Sequence, residues 1–311
     1  MLGYAAGVPL APVYAAALAY LLYHPPRRPA HKQPADVGLA VTEHEAETAD
    51  GRRIHLWLHR GRPDALVVLG HGIGLGKSAS LPHAAFLAEA GYSVCLFDHR
   101  NHGASGTDRA ARRLADRFTD DIVSTVSHLR GRLGYGSARV AVFGFSFSTF
   151  PSVYALADPD HRVDAVLCDS GPAADVPELL RNFSTAGILP TPRLFRHGPA
   201  RAVAASVAAR LGTAMLGANW PPAPTGRFAT TPMLFLVGGA DRIVPPTSSA
   251  VLAAAYPRAD VQALPDARHL TGLRDAPDQY RRIVLDFLAH NLCARGEDDG
   301  DLRAAPAAGG R

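Results

Sequence analysis

Apolar and polar positions follow three rhythms along this chain, and each predicts a different kind of element. In RRIHLWLHR (52–60), Ile54, Leu56 and Leu58 alternate with polar neighbours. That is the period of a half-buried antiparallel strand. ALVVLGH (65–71) and YSVCLFD (92–98) are continuously apolar, as expected of central parallel strands covered on both faces. Strands are also expected at 139–143, 163–168, 233–237 and 261–264. Between them the period lengthens: Ile122, Val126, Leu129 and Leu133 recur at three and four residues, giving a helix one apolar face. Residues 79–90 read as a helix stopped by Gly91 at its C′ position. Residues 275–292 close the domain, with Ile283, Leu285, Phe287 and Leu288 as apolar contacts. Strands alternating with helices predict an α/β protein: a mostly parallel central sheet flanked by helices, with its site at the strands' carboxyl ends.

One stretch interrupts the alternation. Residues 172–231 are proline-rich with two helix-like segments, near 175–186 and 199–216, and are expected to form a short helical lid inserted after the sixth core strand. The main domain then runs over 38–292, preceded by a stiff Pro-, Arg- and His-rich linker (24–37) and followed by a disordered tail (293–311). Residues 1–23 contain no ionisable side chain except tyrosine, and cations follow at Arg27, Arg28 and Lys32. About 20 apolar residues can cross a bilayer, so this segment is expected to be a single-pass cell-membrane anchor. The cations after it would leave the catalytic domain cytoplasmic. Pro9, Pro12 and the many alanines weaken a straight span. A cleaved signal, with Ala17-Leu18-Ala19 as the cut, or a helix packed on the body are the alternatives.

The 311 residues suffice for one large α/β domain or two small ones. The net charge of +4 is carried by scattered arginines, with Lys32 and Lys77 as the two lysines. The cationic runs lack interleaved aromatic residues, which argues against a nucleic-acid partner. Three cysteines cannot make a disulfide framework. Cys95 and Cys168 fall in apolar strands and Cys293 near the end of the last helix, as reduced thiols.

The chemistry centres on VAVFGFSFST (140–149). A buried strand ending in Gly-Phe-Ser reads as a sharp strand-to-helix turn that presents the Ser146 hydroxyl beyond the sheet. An alcohol needs an imidazole as base and a carboxylate to orient it. His269, in the Pro-Asp-Ala-Arg-His loop, and Asp241, in the Gly-Gly-Ala-Asp turn after strand 233–237, supply them in the order Ser, Asp, His. Asp169, ending the preceding strand, is a rival acid. The oxyanion would be held by the backbone amide of Phe147 and by that of Ile73 in His71-Gly72-Ile73-Gly74. His71 reads as a loop-stabilising residue, and His102 as either a turn residue or part of the pocket lining. His44-Glu45 lacks a second histidine at helical spacing, no cysteine pair has ligand spacing, and no phosphate-loop motif occurs. No metal is expected.

These motifs, His71-Gly72, FDHRNHGASG (97–106), GFSFS (144–148), GGADRIVPP (238–246) and His269, resemble the α/β-hydrolase superfamily over residues 38–292. Within it the chain is most similar to the short-lidded serine-aminopeptidase-like and monoacylglycerol-lipase-like branch. The resemblance implies an α/β-hydrolase fold, a Ser146, Asp241, His269 triad acting on an ester, thioester or amide, and neither metal nor organic cofactor. The chain departs from the family pattern twice. Ser148 stands where the elbow ends in glycine; its β-carbon would crowd the helix against the strand, but as the smallest polar substitute it is expected to be tolerated with some shift of the elbow. Asn101 stands where glycine precedes His102.

The expected function is therefore a serine hydrolase cleaving a small-molecule carboxylic ester or thioester through an acyl-enzyme on Ser146. Its alternatives are a peptidase or amidase using the same residues, or a non-catalytic binding protein on this fold. Trp220 and Phe183 lead the lid residues expected to contact substrate, with Leu189, Phe195, Met215 and Leu216 beside them. Packing of lid against body would explain all of them equally.

Overall fold

The computed structural model describes residues 8–27, 30, 32–160, 162–186 and 191–292. Leu189, Cys293 and the tail lie outside the described residues. Eight strands form one sheet: β1 (Thr42–Glu47), β2 (Arg53–His59), β3 (Arg62–Gly70), β4 (Tyr92–Phe97), β5 (Arg139–Phe145), β6 (Ala165–Asp169), β7 (Met233–Gly238) and β8 (Ala259–Leu264), in the order β1-β2-β4-β3-β5-β6-β7-β8. β1 pairs antiparallel with β2 and β2 with β4, and all other pairings are parallel. This is the architecture expected from the alternating apolar pattern.

Each continuous apolar run divides its side chains between two cores. Leu66 and Val68 of β3 join Ile122, Val126 and Leu129 on one face. Val67 and Leu69 join Phe86, Leu87, Tyr280 and Val284 on the other. The helices that cover these faces follow the sequence pattern: α2 (Leu81–Glu89), α3 (Leu114–Arg132) and, after the elbow, α4 (Thr149–Tyr154). Gly91, at φ +86°, lies just past α2 in the conformation expected of a C′ glycine. Cys95 and Cys168 are buried free thiols.

β1 lacked an apolar signal. Of its six residues, TEHEAE, only Ala46 is fully buried. It is an edge strand held by pairing with β2, and its charged side chains discourage pairing with another chain.

The insertion between β6 and β7 contains α5 (Val176–Thr185), α6 (Gly198–Leu216) and the short α7 (Arg227–Thr230). Leu180, Ala209 and Leu216 from it pack with Phe118, Phe150, Ile243 and Val244. The fold is completed by α8 (Pro246–Ala253), α9 (Gly272–Asp275) and α10 (Pro277–Leu292).

The membrane anchor is a correction. The first helix described, α1 (Ala11–Tyr23), has 13 residues, about 20 Å of rise against the roughly 30 Å of a bilayer core. Among the described residues no helix is long and apolar enough to cross a membrane. The expected single-pass cell-membrane location, and the membrane association inferred from it, therefore have no element among the described residues to carry them. Ala11, Ala15, Ala19 and Tyr23, spaced by four, instead form a fully buried stripe. The alanines let α1 lie close against α6, which is itself alanine-rich on its buried side. Tyr14 stacks on Phe195 with centroids 4.4 Å apart, and the Tyr23 hydroxyl donates to the Gly212 carbonyl at 3.0 Å. The opposite side of the segment leaves Leu10, Val13, Tyr20 and Leu21 exposed. In the following segment, Arg27 donates to the Gly103 carbonyl and the Thr107 hydroxyl.

Asn101 explains part of this docking. It has φ +66°, a left-handed conformation that Asn tolerates better than most side chains. Its amide donates to the Tyr23 carbonyl at 3.1 Å and its side-chain oxygen accepts from the Asp108 amide at 2.7 Å. The departure from glycine keeps the turn and adds a tether for α1.

Candidate active site

β5 ends at Phe145, and Ser146 follows with φ +51° at the start of a 3-10 turn (146–148) leading into α4. A non-glycine residue there costs about 1–2 kcal/mol, held by packing on both sides. Gly144 permits the close approach: a Cβ on it would sit 2.5 Å from the Ser148 carbonyl oxygen.

Ser146 Oγ lies 2.8 Å from His269 Nε2, and His269 Nδ1 lies 2.8 Å from Asp241 Oδ2. The other Asp241 oxygen accepts the amides of Ile243 and Val244 at 2.8 and 3.0 Å. Those two amides fix the carboxylate plane, and the network assigns the His269 proton to Nδ1. Its Nε2 is left to accept from Ser146. Asp169 lies elsewhere in the network. Its oxygens accept from Tyr280 at 2.6 Å and from Ser170 at 2.8 Å, and burial raises its carboxyl above the usual range. The Ser170 hydroxyl also accepts the Leu270 amide at 2.8 Å. Leu270 has φ +58°, so this bond helps hold a strained residue next to His269.

The loop carrying Ile73 is held by buried side chains. His71 Nδ1 donates to the Gly72 carbonyl at 2.8 Å, and His102 Nε2 accepts the Gly74 amide at 3.0 Å. Asp98 accepts both the amide and the ammonium of Lys77. Burial works to raise Asp98, but His71 and Lys77 beside it bring it down to about 2. Ile73 and Phe147 both pack against the apolar cluster under the insertion, and Phe147 meets Tyr23 and Phe118.

The sequence reading missed a second hydroxyl, imidazole and carboxylate series. Ser148 Oγ is 2.9 Å from His99 Nε2, and His99 Nδ1 is 3.2 Å from Asp121 Oδ2. All three residues have zero exposure. Asp121 also accepts the backbone amide and Nε of Arg100. Ser148 fits because residue 70 is glycine: a Cβ there would meet Ser148 Oγ at 2.1 Å. The crowding expected from Ser148 is thus relieved by its neighbour on β3. The available signal was Ser148 itself, a polar residue where the family pattern has glycine.

His71, His99 and His102 each donate through Nδ1 and accept through Nε2, to His71 from the His99 amide at 3.0 Å. All three are therefore neutral. Burial lowers His71 to about 4 and His99 and His102 to about 3. His83, enclosed by Phe145 and Tyr280, is lowered to about 3 by burial. These folded values lie below the unfolded value, so the unfolded chain binds more protons in between. Stability is full above about pH 6.5 and falls as acid approaches pH 4. Asp121, which burial raises to about 7 against the pull of Arg100, opposes this and offsets about one proton. Urea unfolding between pH 7 and pH 5 should show a net uptake of roughly two to three protons near pH 5. Midpoints independent of pH would contradict neutral buried imidazoles.

Trp220 is half-buried, donates through Nε1 to the Ala173 carbonyl at 2.8 Å and packs on Phe150 and Tyr154. It borders a cavity of about 190 Å³ shared with Val176, Thr213 and Leu216. Phe183, also half-buried, packs against the Tyr23 and Phe118 cluster.

Residues 61–210 match the serine aminopeptidase (S33) family. YfhR, an uncharacterised protein of Escherichia coli K12, is 24% identical over 258 residues, covering 80% of each chain. Two solved structures share the fold. The Pyrococcus furiosus esterase Pf2001 has a TM-score of 0.70 at 20% identity, covering 88% of this chain and all of that one. A thermophilic esterase from Thermogutta terrifontis has a TM-score of 0.57 at 19% identity, covering 81% of this chain and all of that one. Sheet order and elbow agree with these solved structures in giving the chain an α/β-hydrolase fold, and the family match over 61–210 makes that part of it similar to the serine-aminopeptidase-like branch of serine hydrolases.

Proposed function

We propose that the chain hydrolyses a carboxylic ester or thioester of a small molecule through an acyl-enzyme on Ser146, with His269 as base and Asp241 as its orienting acid. The observation that carries this reading is the pair of 2.8 Å contacts linking the three side chains at the elbow. In the first step His269 Nε2 takes the Ser146 proton as Oγ bonds to the acyl carbon, and the carbonyl electron pair moves to oxygen. The amides of Phe147 and Ile73 stabilise that oxyanion. As it collapses, the imidazolium returns the proton to the departing alcohol or thiol. Water then attacks the acyl-enzyme with His269 again as base, releasing the acid and restoring Ser146. Trp220 and Phe183 border the acyl or alcohol side in this reading. The esterase names of the structural relatives support ester over amide.

A peptidase is the second reading, favoured by the name of the matching family. An aminopeptidase needs a carboxylate free to receive the substrate amine. Asp169, a further acid that feels the charge of His269, is already occupied by Tyr280 and Ser170.

A fluorophosphonate probe followed by peptide mapping tests the proposal, with p-nitrophenyl esters and aminoacyl p-nitroanilides run in parallel. Labelling confined to Ser146 and turnover of the esters are expected. Turnover of anilides alone would select the peptidase, whereas a folded protein that neither labels nor turns over either class would leave only a binding role.

A further inference from the structure

We propose that His99 is a positioning residue that holds the two oxyanion amides, those of Phe147 and Ile73, at a fixed spacing. This rests on the Ser146 acyl-enzyme reading above. One arm of His99 grips the elbow: its Nε2 accepts the Ser148 hydroxyl at 2.9 Å. Residues 146–148 form a single 3-10 turn, so fixing Ser148 also fixes the direction of the Phe147 N–H. The other arm grips the facing loop: the His99 backbone amide donates to His71 Nε2 at 3.0 Å. His71 Nδ1 in turn donates to the Gly72 carbonyl, adjacent to Ile73. Asp121 holds the ring from behind through Nδ1 at 3.2 Å, and Phe97, Phe118 and Phe147 enclose it. The two halves of the oxyanion hole come from loops after different strands, and His99 is bonded, directly or through His71, to both.

Ser148 mirrors Ser146 in its partners, a hydroxyl on Nε2 with Nδ1 on a carboxylate, yet it has zero exposure. No substrate reaches it, so its imidazole serves geometry and leaves proton transfer to His269. The space for the hydroxyl exists only because residue 70 is glycine. Ser148 and Gly70 therefore act as one complementary pair.

A trifluoromethyl ketone reports on this geometry. Ser146 Oγ adds to its carbonyl carbon, the proton passes to His269, and the resulting oxyanion sits where the ester oxyanion would. Ser148→Ala should lower kcat and inhibitor affinity together by about tenfold and His99→Phe by about 10²-fold, as for a small misplacement of catalytic groups. KM should stay within about twofold, because the loss falls on the transition state and spares ground-state binding. The pH dependence of kcat should keep its wild-type shape.

Gly70→Ala supplies an independent route if His99→Phe fails to fold. Its methyl displaces the Ser148 hydroxyl and should cost as much as His99→Phe. Gly70→Ala combined with Ser148→Gly should return to the level of Ser148→Gly alone. Folded Ser148→Ala with wild-type kcat and inhibitor affinity would overturn the proposal, as would losses confined to KM or to thermal stability. Those results leave the acyl-enzyme reading intact, whereas a wild-type protein that the fluorophosphonate never labels overturns both.

Discussion

Ser146→Ala is expected to lower kcat by about 10⁶-fold and Asp241→Asn by about 10⁴-fold, while Asp169→Asn leaves most of the activity. The difference between the two aspartates follows from their partners. Asp241 accepts from Ile243 and Val244 on one oxygen and faces His269 Nδ1 with the other. An Asn at this position must turn its NH₂ toward either the two amides or the imidazole. The amides are donors, so the NH₂ is driven to His269, which must then carry its proton on Nε2. An imidazole in that tautomer cannot take the Ser146 proton. Asp169, by contrast, only accepts, from Tyr280 and Ser170, and the oxygen of Asn can keep the shorter of those bonds. Steady-state ester hydrolysis on the three purified variants, with circular dichroism to check folding, decides the matter. Equal losses at Asp169 and Asp241 would remove the case for Asp241.

Arg100→Met is expected to cost about 3–5 kcal/mol of stability, lowering Tm by on the order of 10 °C. The Arg100 side chain has zero exposure and bonds Asp121 at 2.7 Å, Asp108 at 2.9 Å and Asp50 at 3.1 Å. Arg117 also reaches Asp108 and Asp50, so those carboxylates keep a partner. Asp121, fully buried, loses its guanidinium. Its folded pKa then rises further above the unfolded value, and a raised carboxyl is destabilising at high pH but harmless once protonated. The gap between wild type and variant should therefore narrow as pH falls from 8 to 5. Taking the difference at each pH removes the histidine contribution common to both. Paired urea titrations measure it, and a gap that widens in acid would mean that Asp121 is not the group left uncompensated.

Some elements are legible from local pattern because local pattern is what makes them. Residues 65–70 of β3, and the whole of β4 and β7, are buried without interruption and end at the loops that carry Ile73, Asp98 and Asp241. α3 presents Ile122, Val126 and Leu129 at helical spacing. β1 escapes such reading because an edge strand needs little burial: its backbone bonds to β2 hold it while most of its side chains face water. α1 misled for the opposite reason. Its composition is that of a lipid-facing span, but hydropathy does not tell a lipid surface from the alanine face of another helix. The distinction depends on α6, some 190 residues later in the chain.

From the sequence alone came the sheet-and-helix order, the elbow at Ser146 and the succession of a serine, an aspartate and a histidine after strand ends. Each of these is written in neighbouring residues. Only the folded chain decided which carboxylate stands beside His269, where α1 rests, and how Ser148 finds room. Those outcomes are distances between segments far apart in sequence. They are set by the sheet order, which brings β7 beside β6, and by a missing side chain at Gly70 that no local pattern around Ser148 could reveal.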